Sequence, residues 1–163
     1  MEPKNIKALV RQGDILRLQG VLEKALESYQ MALDLDPGDI TALLGKGDAL
    51  LLEEKFDLAL GFYTKTLSID PGDTRALEGR GDALYDKKDL DGALSSYQKA
   101  LVSNPQSARS LAGIGDILCD RGNFTAGLQF YRMAIEQDDT CVRALTRARC
   151  GGKRLARRQS PRC

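Results

Sequence analysis

At 163 residues, with 42% apolar and 29% charged side chains, the chain has the composition of a folded globular protein, which excludes disorder over its whole length. The net charge of +1 hides two regions of opposite sign: residues 1–139 carry −7, and residues 140–163 carry +8 without a single acid. The longest apolar run, Ala49 to Leu52, falls far short of the roughly 20 residues that span a bilayer, and the N-terminus lacks the features of a secretory signal, so the cytoplasm is the expected location. With no His, and no C-x-x-C pair among Cys119, Cys141, Cys150 and Cys163, neither a metal nor a cofactor is expected and the thiols are read as free.

Followed from the N-terminus, one pattern returns every 34 residues. Gly13, Gly47, Gly81 and Gly115 share a column, as do Leu9, Leu43, Leu77 and Leu111, and Leu16, Leu50, Leu84 and Leu118. Ala25, Ala59, Ala93 and Gly127 follow, then Tyr29, Tyr63, Tyr97 and Tyr131, then Ala32, Thr66, Ala100 and Ala134. Pro37, Pro71 and Pro105 close the units, with Asp139 breaking the series. Within a unit, Leu43, Leu44, Gly47, Leu50 and Leu51 recur at threes and fours, the face of a first helix beginning at Ile40. After a break near Glu54 and Lys55, the run from Phe56 through Ala59, Leu60, Tyr63, Thr66 and Leu67 predicts a second helix. It stops at Asp70-Pro71-Gly72-Asp73, where Pro cannot continue the helix and Asp73 can cap the next one. Each unit is thus a helical hairpin, and because one hairpin cannot bury both its apolar faces, neighbours must stack.

These columns resemble the tetratricopeptide repeat family, whose 34-residue unit places a large apolar residue, Gly, a large residue, Ala, an aromatic, Ala and Pro at the same relative positions. The resemblance covers about residues 6–139, as units 6–39, 40–73, 74–107 and 108–141, and departs from the pattern at Thr66, Gly127 and Asp139. It implies an all-α, right-handed helical-hairpin solenoid that binds peptides or partner helices on the concave surface of its first helices.

The recurring glycines invite other readings. Gly45, Gly79 and Gly113 stand two residues before the conserved-register glycines, but no G-x-x-x-x-G-K-[S/T] loop occurs, and a helix interior is the wrong setting for a phosphate loop. Arg80-Gly81-Asp82 would need an exposed loop to act as an adhesion signal, and the "DPGD" turns lack the ligand series of a calcium loop. The small residues of the Gly13 and Ala25 columns are expected to meet where two helices approach closely, whereas the glycines at 45, 79 and 113 have no account from sequence and cost about 1 kcal/mol each in helix propensity.

By the resemblance, first-helix residues spaced three, four and three apart line the groove. The candidates are Asp14, Leu44, Asp48, Leu51, Arg75, Glu78, Asp82, Tyr85, Arg109 and Asp116, with Asp14, Asp48, Asp82 and Asp116 forming an acidic column. In relatives that clamp the acidic tail of chaperones, cationic and amide side chains hold the ligand. The corresponding places here hold Val10, Asp14, Gly45, Arg75 and Gly79, or one unit later Leu44, Asp48, Gly79, Arg109 and Gly113, which disfavours that ligand. A basic or amphipathic protein segment is the expected partner, anchored on Leu44, Leu51 and Tyr85.

After unit four, "CVRALTRARC" begins like another first helix with Leu145 in register, predicting a capping helix over 141–150 followed by a basic, disordered tail, 151–163. Lys153, Arg154, Arg157 and Arg158 could attract nucleic acid or an anionic membrane, non-specifically because no aromatic is present to stack a base; this is the alternative function. An enzyme is not expected, since no nucleophile and base pair can be assembled.

Overall fold

The structure, a computed structural model, describes residues 3–141 and Leu145. Eight helices and no strands form among them: α1 (Pro3–Leu18), α2 (Leu22–Leu35), α3 (Ile40–Leu52), α4 (Phe56–Ile69), α5 (Thr74–Asp86), α6 (Leu90–Ser103), α7 (Ala108–Asp120) and α8 (Phe124–Gln137). The basic side chains Lys153, Arg154, Arg157 and Arg158 lie outside the described residues, as does most of the 141–150 segment.

Each "DPGD" residue has a distinct local task. Asp36 and Asp70 end the second helices and their side chains accept from the N–H of Gly38 and Gly72 at 2.9 Å, closing a turn, while Asp39 and Asp73 accept from Ala42 and Ala76 N–H at 2.7 Å and so cap α3 and α5. Asn104 with Gln106, and Ser107 with Ser110, repeat the arrangement before α7. The hairpin bends also share a position: Gly20 and Gly122 take left-handed backbone at φ 76° and 82°, and Glu54 and Lys88 take it at 58° and 68° despite their side chains.

Helices of one hairpin pack together, each second helix packs on the next first helix, and the first helices touch one another along the array (α1 with α3, α3 with α5, α5 with α7). The second helices, α2, α4, α6 and α8, do not meet one another. Such an array bends toward its first helices, which puts α1, α3, α5 and α7 on the concave side.

The core runs the length of this stack through Leu9, Leu43, Leu77 and Leu111 and through Tyr29, Tyr63, Tyr97 and Tyr131, each ring at most 1% exposed. The tyrosines explain both glycine columns. A Cβ added at Gly13, Gly47 or Gly81 would stand 2.6–2.8 Å from the ring of its own unit's tyrosine, and one added at Gly113 would stand 2.5 Å from Tyr97 of the preceding unit. Gly45 and Gly79 meet Tyr29 and Tyr63 in the same way. The rings of Tyr29, Tyr63 and Tyr97 are therefore each wedged between two consecutive first helices, and the paired glycines make their slots. The Gly13 column faces the tyrosine of its own unit in all four units, and in unit four it also meets its partner column, a Cβ at Gly115 standing 3.2 Å from the carbonyl oxygen of Gly127. Arg11, which holds the Gly45 column in unit one, is exposed.

The candidate peptide groove

The four column aspartates project from the concave helices, but each turns its carboxylate onto the tyrosine fifteen residues later. Tyr29, Tyr63, Tyr97 and Tyr131 donate their hydroxyls to Asp14, Asp48, Asp82 and Asp116 at 2.7, 2.9, 2.5 and 2.6 Å. The wedge thus ends in a charge-assisted hydrogen bond, a class worth about 1.5–3 kcal/mol. The second oxygen of Asp48 accepts from Arg75 Nη2 at 3.2 Å, and that of Asp82 from Arg109 Nε and Nη2 at 2.9 and 2.5 Å. In units two and three the acid is therefore held by its own tyrosine on one side and by the next unit's arginine on the other.

Burial separates the sequence candidates into two groups. Asp116, Leu44 and Glu78 are 2%, 2% and 8% exposed, enclosed where the first helices close on one another, while Leu51, Arg75, Tyr85 and Arg109 remain accessible. Glu78 belongs to a junction built differently from its neighbours. Its Oε1 accepts from the hydroxyls of Ser107 at 2.5 Å and Ser110 at 3.3 Å, and its Oε2 faces Arg109 Nη1 at 3.8 Å. The equivalent places between units two and three hold Leu44, Asp73 and Ala76, so an apolar contact has become a polar one. With Ser107 in place of the aspartate cap, the helix start is still capped and no second acid confronts Glu78.

Burial, reinforced by the adjoining carboxylates, pushes Tyr29, Tyr63 and Tyr131 well above the ordinary phenol range. The fold thus keeps protons that the unfolded chain surrenders above about pH 10, so this stabilisation is complete below about pH 10 and declines as pH rises beyond it. In an alkaline titration, tyrosinate absorbance should rise together with the loss of helical circular dichroism. Ordinary tyrosine ionisation with the helices intact would contradict the slots. Arg109 is desolvated, which lowers it, but Asp82 and Glu78 more than reverse that and hold it above its usual value.

On the concave surface, Arg17, Asp48, Leu51, Leu52 and Arg109 enclose a pocket of about 170 Å³. Curvature brings together side chains from units one, two and four. The three, four, three spacing reaches Arg17, Asp48, Leu51 and Arg109; Leu52, 58% exposed, lies outside it. Tyr85 gives its hydroxyl to Asp120 at 2.6 Å and lies under Lys88, while Cys119 turns toward Gly127. Among the described residues no group of His, Cys, Asp and Glu is placed to hold a metal ion, and no helix is long and apolar enough to cross a membrane.

A row of first helices locked together by interior tyrosines defines an all-α hairpin solenoid. The chain belongs to the tetratricopeptide repeat family: one model of that repeat matches residues 65–108 and 78–140, and a second, TPR repeat, model matches 13–53. Among solved structures, Functional Characterization of Pseudomonas Aeruginosa pilF describes one with TM-score 0.83 and 18% identity, over 94% of this chain and 70% of that one. MamA aligns with TM-score 0.73 and 19% identity over 95% and 85%, and YrrB, described as a TPR protein with an unusual peptide-binding site, with 0.66 and 23% over 93% and 78%. No curated protein sequence matches the chain.

Proposed function

We propose that the chain is a protein-interaction scaffold whose concave groove receives an amphipathic segment of another protein. The observation that carries this reading is the accessible pocket lined by Arg17, Asp48, Leu51, Leu52 and Arg109, a concavity with two leucines in a surface otherwise committed to holding the units together. The description of YrrB as having a peptide-binding site on the same fold supports it by analogy. Of the two partner characters expected from sequence, amphipathic is better supported than basic. Asp48 and Asp82 are each paired with an arginine and Asp116 is buried, which leaves little exposed negative field to attract a cation. Apolar contact with Leu51 and Leu52, extended by Leu18 in the Leu52 column of α1 (78% exposed), supplies the affinity instead.

The test is random-peptide phage display against the whole chain, with Leu52→Arg as the counter-target. Because Leu52 is exposed, that substitution should leave the fold intact while reducing binding of groove peptides by tenfold or more, about 1.4 kcal/mol. Peptides that bind both proteins equally would move recognition away from the groove and overturn the reading.

A further inference from the structure

The pocket's walls restrict which side chain can enter it, and this inference rests on the groove reading above. Arg17 and Arg109 line the pocket together with Leu51, Leu52 and Asp48, whose carboxylate already accepts from Tyr63 and Arg75. A cationic side chain would meet both arginines. A carboxylate would meet a neighbourhood in which Arg17, Arg75 and Arg109 already face Asp14, Asp48, Asp82 and Glu78, at 3.9 Å for Arg17 with Asp14 and 2.5 Å for Arg109 with Asp82. Neither sign of charge is therefore attracted strongly.

The two arginines in the wall nevertheless favour one kind of neutral group. An aromatic face satisfies a guanidinium N–H without adding charge, and arginine stacks on such faces readily because it is weakly hydrated. Size agrees, since an apolar cavity of about 150 Å³ holds benzene and this pocket measures about 170 Å³. We propose that the groove selects a partner segment carrying an aromatic anchor, Phe or Tyr, whose ring lies on Leu51 and Leu52 between the guanidinium groups of Arg17 and Arg109.

The experiment uses the full chain and four acetylated, amidated pentapeptides, Gly-Ser-X-Ser-Gly with X as Phe, Leu, Glu or Lys, followed by methyl NMR. The Phe peptide should move the Leu51 and Leu52 methyl signals upfield by ring current and bind about fivefold more tightly than the Leu peptide, the gain expected of a cation–π contact. Arg17→Leu, with folding checked by circular dichroism, should remove that preference while keeping apolar binding. Equal binding of Phe and Leu peptides, tighter binding of Glu or Lys, or no methyl shift with Phe would each overturn the aromatic anchor. The groove reading fails separately, if phage display yields no peptide sensitive to Leu52→Arg; sensitive peptides that lack an aromatic residue would overturn the anchor alone.

Discussion

Gly79→Ala should lower stability by about 2 kcal/mol, although alanine is the better helix former. The propensity gain is about 1 kcal/mol, but the added methyl would stand 2.5 Å from Tyr63 Cε1 and 2.8 Å from its hydroxyl oxygen. The ring has no direction in which to yield. It is fully buried, Gly47 closes on its other side, and its hydroxyl is tied to Asp48. Overpacking of this kind costs about 3 kcal/mol, so the clash outweighs the propensity gain. Gly61→Ala is the internal control: Gly61 lies within α4, is exposed, and a Cβ there meets nothing within 4 Å. That variant should gain about 1 kcal/mol. Denaturant midpoints of the two variants should move in opposite directions; the same sign for both would show that the slot is loose.

Arg109→Ala should cost about 2 kcal/mol, well above the effect of Arg75→Ala. Arg109 serves two carboxylates with side chains only 14% and 10% exposed, Asp82 and Glu78, whereas Arg75 is 55% exposed and serves Asp48 alone. Removing a partner from a buried pair costs about 3–5 kcal/mol, a figure reduced here because Arg109 is itself 42% exposed. Combining Arg109→Ala with Glu78→Leu should recover part of the loss, since the leucine removes the carboxylate that Arg109 had neutralised and matches Leu44 at the junction of units two and three. Additive losses in that double-mutant cycle, measured by urea unfolding, would mean that Glu78 and Arg109 act independently.

The repeat, the hairpin boundaries and the turn chemistry were legible because they depend on neighbours in sequence: Pro37, Asp39 and the three-and-four spacing from Ile40 act within one or two turns. The role of Gly45 was not, because its cause is Tyr29, on a helix of the preceding unit. Helical spacing put the aspartates on one face of the first helices, yet could not show that each carboxylate turns onto a tyrosine. The constant offset between the Asp14 and Tyr29 columns, kept through four units, was the available signal. Leu44 and Glu78 satisfied the same spacing rule as Leu51. They are enclosed because adjoining first helices close on one another, a property of the superhelix and not of any single helix.

Because Tyr29, Tyr63 and Tyr97 are each shared between consecutive units, the 34-residue segment is an interchangeable brick only where a glycine waits for it. Excising residues 74–107 would bring Tyr63 against Gly113, a slot of the same shape, so gain or loss of inner units is geometrically permitted. The first unit is not exchangeable in this way. Placed inside the array, Arg11 would occupy the space of the preceding ring, so growth by duplication is open to units two, three and four and closed to unit one.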